Sequence, residues 1–199
     1  MLKAIRAMLS RKTASGTANM NENEFVRHVA ASLYEREEFT RRAAEAASAL
    51  GTDSIGKLVD LLHSEHSPPK AFESQFGGLG SWLAARQFAI FEIFYHLGRP
   101  AVPTLLTFIR GEYDWTQGNA IEILCRLHAK GVAPVSAFEL LKRTIPSMRE
   151  EALLYAAGPL HTLVQQDATL SGVLDELAEI PEFSDVYQYR VTGEWPSAE

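Results

Sequence analysis

The stretch WLAARQFAIFEIFYHL, residues 82–97, decides the fold of this chain. The helix that it predicts is apolar on nearly every face, and its only strongly polar residues are Arg86, Gln87, Glu92 and His96. A helix this apolar, but too short to cross a membrane, belongs in the middle of a packed domain. The side chains that we expect in the core are Leu83, Ile90, Phe91 and Phe94.

The segments on both sides of this stretch also have the pattern of helices. Apolar residues recur with a period of 3.6 throughout residues 21–180, and no sustained alternation typical of a strand occurs. Gly158-Pro159 predicts a helix break. Helix starts are indicated by the cap pairs Asn21–Glu24, Asp114–Gln117 and Ser147–Glu150. The sequence therefore predicts an all-α fold of at least seven helices.

The composition divides the chain into three parts. Residues 1–20 carry four bases and no acid, which predicts a basic N-terminal segment, either flexible or a short terminal helix; a targeting or membrane-surface helix is the alternative. Residues 21–180 form one repeat-like all-α domain, interrupted by a loop-rich stretch at 68–80. Residues 181–199 show no helical period, so we expect an irregular C-terminal tail.

An internal repeat crosses this domain. Leu50-Gly51 and Leu97-Gly98 lie 47 residues apart, and the similarity continues at that offset. The matched pairs are Ile55 with Val102, Leu58 with Leu105, Val59 with Leu106, and Leu62 with Ile109. Around Gly131 the pattern returns at an offset of 33. Each unit is predicted to be a helix, a glycine turn and a second helix.

At these residues the sequence resembles HEAT and armadillo repeats. The segment LGRPAVPTLLTFIRGEYDWTQGNAIEILCRL, residues 97–127, resembles them most, and the resemblance covers residues 37–166. It implies stacked antiparallel helix pairs, in the manner of a HEAT-like α-α superhelix, with an extended concave face for binding.

Charge is unevenly placed along a chain whose net charge is −6. From Asp167 to the end there are eight acids and one base, Arg190, a net of −7. Residues 112–199 hold 14 acids and 6 bases, a net of −8. Such a surface favours a basic protein partner. It argues against nucleic acid, because neutralisation of phosphates supplies most of the affinity there.

Cys125 is the only cysteine, which excludes an internal disulfide and a multi-cysteine zinc site. Its spacing from Ile121 and Leu124 predicts a small core residue. The N-terminal apolar residues are interrupted by bases, unlike those of a secretory signal. We therefore expect a cytoplasmic protein with no membrane span and no cofactor.

Three further groups could carry chemistry. His63-Ser64-Glu65-His66 has two imidazoles and a carboxylate, but a solvated helix end is the simpler interpretation. Gly77-Gly78-Leu79-Gly80 lacks the strand and the full motif of a phosphate loop. Glu92 and Glu122 lie in apolar helices, where a raised pKa would suit a general acid. We expect instead that each faces solvent or pairs with an arginine such as Arg86 or Arg126.

One branch of HEAT-like proteins, the alkylpurine DNA glycosylases, uses tryptophans and an aspartate on a basic concave surface. Trp82, Asp114 and Trp115 fit that scheme by residue type and are the candidates for a concave binding face. The acidic charge of residues 112–199 argues against it. The simpler interpretation makes Asp114 an N-cap and Trp115 a packing residue.

The sequence as a whole favours a non-enzymatic protein-binding module. Among small acidic helical proteins, a toxin-neutralising immunity protein that covers a basic partner is one concrete form. The predicted contact residues are Asp175, Glu176, Glu179, Glu182 and Asp185. The alternatives are a DNA glycosylase of the HEAT-like kind and a scaffold or adaptor subunit. Neither the identity of the partner nor the oligomeric state follows from the sequence.

Overall fold

The computed structural model of the chain describes residues 20–64, 67–68, 70, 73 and 79–195. These residues form ten α-helices with short 3-10 turns, and no strand occurs among them. The helices are α1 (Glu22–Ala30), α2 (Arg36–Leu50), α3 (Ile55–Leu62), α4 (Leu79–Leu97), α5 (Val102–Ile109), α6 (Asp114–Ala129), α7 (Val135–Thr144), α8 (Glu150–Val164), α9 (Ser171–Ala178) and α10 (Pro181–Thr192). The predicted all-α fold is confirmed.

Several predicted features lie outside the described residues. They are the basic segment up to residue 19, Glu65 and His66, Gly77 and Gly78, and the last four residues. The predictions for them stay predictions.

The apolar stretch forms the centre of α4, which begins three residues earlier than predicted, at Leu79. Ile90, Phe91 and Phe94 are buried as expected, whereas Leu83 is half-buried. The helix packs against α1 and α2 on one side and α6 on another. Because neighbours cover it from several directions, α4 needs apolar residues on nearly all of its faces.

Alternate helices pack against one another in chain order. α2 packs against α4, α4 against α6, α6 against α8, and α8 against α10. These five helices therefore form a continuous row, which we call the even row. α3 packs against α4, and α5 and α7 both pack against α6. The arrangement is compatible with helical repeats.

The offset of 47 residues has a structural counterpart. Gly51 has a φ of 66° and Gly98 a φ of 70°, in backbone conformations that residues with a Cβ rarely adopt. Each glycine is followed by a 3-10 turn of three residues and then by a helix of eight, α3 or α5. The matched residues Leu58 and Leu105 are both fully buried. The first two units thus repeat in conformation and in core positions.

α6 and α8 approach each other closely at Gly118. A Cβ there would lie 2.3 Å from the Cβ of Tyr155 and 2.7 Å from the carbonyl oxygen of Ala152. Real Cβ atoms do not come that close to other atoms, so only glycine allows this contact. Gly118 therefore sets the distance between the two helices.

The expected irregular tail is wrong for residues 181–192, which form α10. Pro181 stands at the first helical position, where its fixed φ favours a helix start. Phe183 and Val186 are buried against the rest of the protein. Gly193 ends the helix with a φ of 77°. Tertiary packing therefore makes a helix of a segment rich in aromatic and β-branched residues, which have low helix propensity.

Two of the three cap pairs are also wrong. Asp114 is the first residue of α6, and its side chain caps nothing because it forms an ion pair with Arg149, 2.8 Å away. The Ser147 hydroxyl donates to the carbonyl of Thr144 instead of capping α8. The Asn21–Glu24 capping box is confirmed, with both of its hydrogen bonds formed.

The predicted break at Gly158-Pro159 does not occur. α8 runs through Pro159 to Val164, although proline removes one backbone donor. Leu160 and Leu163, beyond the proline, are buried, and this packing holds the last turn in place.

Cys125 is buried as expected, and burial raises the pKa of its thiol.

Candidate functional site

A groove follows one face of α6. Trp115, Asn119, Glu122, Arg126 and Lys130 are spaced by four, three, four and four residues, so they share that face. Three adjoining cavities of about 500, 290 and 210 Å³ line up along it. Their walls come from the even row and from the loops next to it, and we call the whole the α6 groove. Each of its three parts has a different chemistry.

The first part is aromatic. The ring of Trp115 lies 5.0 Å from that of Phe88 on α4 and 6.5 Å from that of Tyr155 on α8. Tyr189 from α10 closes this end and stacks on Trp195 at 4.4 Å. Tyr155 and Trp195 are each almost half exposed. These rings offer flat apolar surface to a partner, the kind of surface that dominates binding energy in protein interfaces.

Arg190 reaches the aromatic part because α8 has a glycine beneath it. A Cβ at Gly158 would lie 2.9 Å from Nε of Arg190. The unusual Gly158-Pro159 pair in mid-helix therefore leaves space for a cation at the edge of the groove.

The central part holds a buried ion-pair cluster. Arg126 donates from Nη1 to Oε2 of Glu92 at 2.7 Å and from Nη2 to Oε1 at 2.9 Å, a two-point pairing. The same Nη1 donates to Oε1 of Glu122 at 3.1 Å. His96 Nε2 lies 3.5 Å from Oε1 of Glu92. The expected pairing of both carboxylates with an arginine is confirmed, and the arginine is Arg126.

Arg86, the other arginine expected to pair with Glu92 or Glu122, makes its hydrogen bonds in a different region. It is buried and donates to the carbonyl of Ser64 and to Oδ1 of Asn23, each at 3.1 Å. It holds α1 and the end of α3 against α4.

The two central carboxylates have opposite pKa shifts. Burial alone would raise the pKa of Glu92, but the nearby His96 and the hydrogen bonds from Arg126 outweigh it and lower that pKa to about 2. Burial raises the pKa of Glu122, the charge of Arg126 opposes the rise, and the charge of Glu92 adds to it. Glu92 therefore holds Arg126 as an ionised partner, whereas Glu122 is costly to ionise.

The third part is basic at its mouth. Arg36 from α2 and Lys130 at the end of α6 line it with Asp167. Arg126 lies 3.8 Å and Lys130 4.9 Å from the ring of Tyr95, in cation–π contact. Asp167 accepts from the backbone and hydroxyl of Thr169, and those bonds lower its pKa.

The five predicted contact acids lie together on α9, on α10 and in the turn between them. All five are exposed. Within the described residues one of them forms an ion pair, Glu176 with Lys142 at 2.9 Å. We call Asp175, Glu176, Glu179, Glu182 and Asp185 the acidic surface.

The acidic surface adjoins the groove. Glu182, Asp185 and Tyr189 follow one another at spacings of three and four residues, so they share one face of α10. Tyr189 is also a wall of the aromatic part. A partner seated on the acids of α10 would therefore reach the groove along the same helix.

The three concave-face candidates are not brought together. Trp82 is fully buried in the core, so its place on a binding face is wrong. Asp114 pairs with Arg149 and does not line the α6 groove. Trp115 alone lines it.

Sequence reasoning missed most of the groove, including Phe88, Tyr155 and Tyr189 as walls. One signal was present, namely the stripe of one aromatic and four polar residues on α6, opposite its apolar stripe: Trp115, Asn119, Glu122, Arg126 and Lys130. In the described part of the chain, no group of three metal-ligating side chains could hold an ion.

None of the described helices combines the length and the apolar character that a membrane crossing requires. No protein-family model, curated protein sequence or solved structure matches this chain.

Proposed function

We propose that this chain is a non-enzymatic protein-binding module of HEAT-like stacked helices, which binds a basic protein through its acidic surface and the adjoining α6 groove. The observation that carries the proposal is the exposure of all five acids on two neighbouring helices and the turn between them. From residue 171 to residue 192 there are five acids and one base, a net of −4. A toxin-neutralising immunity protein is one concrete form of such a module.

Electrostatics gives this arrangement a defined role. Exposed charges of one sign attract an oppositely charged partner and speed its association. They contribute less to the lifetime of the complex, because exposed pairs are screened and solvated. The exposed ring of Tyr155 in the groove and that of Trp195, which stacks on Tyr189 beside it, would supply the apolar contacts that slow dissociation.

The two alternatives have less support. A DNA glycosylase of the HEAT-like kind would use Trp82, Asp114 and Trp115 together, but only Trp115 lines the groove. A scaffold or adaptor subunit would use the same surfaces. It would differ from the proposed module because it would stay bound in a larger assembly of fixed stoichiometry.

The experiment is an association-rate measurement. The partner is identified by co-purification from the native source, and its binding to wild type is compared with that to a variant in which the five surface acids are changed to lysine. We expect association to slow at least tenfold in the variant at 0.1 M salt. The difference should shrink at 1 M salt, where the Debye length falls from about 10 Å to about 3 Å.

The matched control reverses five exposed acids elsewhere, with the same change in net charge. These are Glu35, Glu37, Asp53, Asp60 and Glu112. If association slows equally in both variants, net charge alone explains the effect. That result would contradict a local contact surface. Unchanged association in the first variant, or tight binding of duplex DNA that the partner does not displace, would reject the proposal.

A further inference from the structure

The 500 Å³ cavity at the aromatic end of the α6 groove has the size and the lining of a small-molecule site. Such sites usually measure roughly 300–1,000 Å³ and combine apolar and aromatic walls with a few polar groups. Here Leu154 and Pro159 add apolar surface to four aromatic rings, and the polar side chains are those of Asn119 and Arg190. The four rings belong to Phe88, Trp115, Tyr155 and Tyr189.

The charge of this cavity is positive. Arg190 is the only charged side chain among the ten described residues that line it, and no acid is among them. Arg190 is exposed and forms no ion pair or hydrogen bond with a described residue. Its guanidinium donors are therefore open to a ligand that enters the cavity.

The backbone of α8 determines where this guanidinium lies. Arg190 continues the buried stripe of Phe183 and Val186 on α10, a helix that packs against α8. A Cβ at Gly158 would lie 2.9 Å from Nε of Arg190 and 3.4 Å from its Cζ and Nη2. The planar head of Arg190 thus lies directly against the backbone of α8, at the edge of the aromatic cavity.

We propose that this cavity binds a small planar aromatic molecule with one carboxylate. Its ring lies among the aromatic side chains, where flat surfaces make favourable face and edge contacts. Its carboxylate accepts from Arg190, because the guanidinium fork matches the two oxygens of a carboxylate. The inference does not depend on the proposed basic partner.

The charge of the walls selects a carboxylate over other groups. One arginine balances one negative charge, whereas a phosphate dianion would need a second cation that the described walls do not supply. A ligand with a quaternary ammonium group would favour the rings, but Arg190 would repel it. A flat apolar body with a single negative charge therefore fits this cavity best.

The first test compares three probes that share a naphthalene ring and differ in charge. β-Naphthoate, the neutral β-naphthamide and the cationic β-naphthylmethylammonium are titrated into the full chain by calorimetry. We expect β-naphthoate to bind about fivefold tighter than the amide, with the cation weakest. Acetate, which has no ring, should give no measurable binding. Equal affinity for β-naphthoate and β-naphthamide, or no saturable binding of β-naphthoate, would overturn the proposal.

Two matched variants test the role of Arg190. R190Q should weaken β-naphthoate binding about fivefold and leave β-naphthamide binding unchanged. R143Q removes the same charge from an exposed arginine on α7, away from the cavity, and should change neither affinity. An equal effect of R190Q and R143Q on β-naphthoate, or an equal loss of both probes in R190Q, would contradict a specific carboxylate contact.

G158A tests the placement of the guanidinium. The new Cβ would meet the flexible end of Arg190, which can move, and alanine favours a helix more than glycine does. We expect a folded variant with an unchanged or higher Tm and weaker β-naphthoate binding. Unchanged β-naphthoate affinity in this folded variant would contradict the placement of Arg190 against α8 and overturn the proposal.

Chemical shifts locate the bound probe. The backbone amides of Asn119, Tyr155 and Gly158 should shift on titration with β-naphthoate, whereas those of Leu58 and Phe138, outside the cavity, should not. Shifts confined to residues outside the cavity would overturn the proposal.

The outcomes also separate this inference from the proposed function. Normal partner association without β-naphthoate binding would reject the carboxylate site alone. Failure of the acidic-surface experiment, together with β-naphthoate binding that depends on Arg190, would leave a small-molecule site and reject the acidic surface as the contact for a basic protein.

Discussion

At the scale of single residues, the clearest consequence concerns Phe91. It is 2 % exposed, and its ring lies 6.0 Å from that of Phe94 and 5.7 Å from that of Phe108. Phe91→Ala should lower the free energy of unfolding by roughly 3–5 kcal/mol, measured by urea denaturation, through lost burial and a cavity. Val135→Ala, at a residue that is 67 % exposed, is the control and should change it by about 0.5 kcal/mol or less. A loss below about 1 kcal/mol for Phe91 would show that this side of α4 is not core.

Glu122 gives a prediction about pH. Its pKa in the folded protein is raised above the ordinary value of 4.5, so the stability that it contributes is fully present below 4.5. That stability is lost as pH rises through the raised pKa. Glutamine does not titrate, so the free energy of unfolding of E122Q should increase relative to wild type between pH 4 and pH 8. A constant difference in urea unfolding across this range would contradict the raised pKa.

These residues also show what the sequence can predict about a site. The arginine partner of Glu92 and Glu122 was among the two expected, but Glu92 and Arg126 are 34 residues apart and only packing joins them. The cavity beside Glu122 depends on the positions of α2, α4 and α8 around it. No local pattern contains that information. Trp82 was misplaced for the same reason, because neighbouring helices decide which face of α4 is covered.

At the scale of helices, the contact between α6 and α8 depends on Gly118. Gly118→Ala would place a Cβ 2.3 Å from that of Tyr155, against backbone and side-chain atoms that cannot easily move. We expect a loss of about 1–3 kcal/mol or more, even though alanine favours helices. The matched controls are Gly56→Ala and Gly172→Ala, where a new Cβ meets nothing within 4 Å. Those two should be neutral or stabilising by up to about 1 kcal/mol in thermal or urea unfolding. The same effect at all three positions would contradict the close approach.

The presence of helices could be predicted from the sequence, but the residues at which they begin and end could not always be predicted. The Asn21–Glu24 box formed because both of its hydrogen bonds are local. Asp114 failed as a cap because Arg149, 35 residues later, binds its carboxylate. α10 was not predicted because its sequence has no obvious period of 3.6 residues. The burial of Phe183 and Val186 stabilises this helix instead. Local chemistry therefore predicts an end only where no distant partner competes for the same group.

At the scale of the whole molecule, the even row has two uses. Its buried sides form much of the core, with α4 at the centre. Its open side carries the α6 groove, which passes from aromatic through buried ionic to basic. The acidic surface continues from the aromatic end along α10. The net charge of a long segment does not reveal this sequence of regions, because the fold places acids and bases of the same segment on different surfaces.

The central claim is that a protein partner covers this open side, and hydrogen exchange of the complex tests it most directly. Amide exchange is measured by mass spectrometry for the free chain and for the chain bound to its partner. We predict slower exchange on binding in α9, in α10 and in the part of α8 around Tyr155 that lines the groove. α3, α5 and α7, which contribute no residue to the walls of the groove, should be unchanged. Slower exchange confined to those three helices, with α9 and α10 unaffected, would contradict the account.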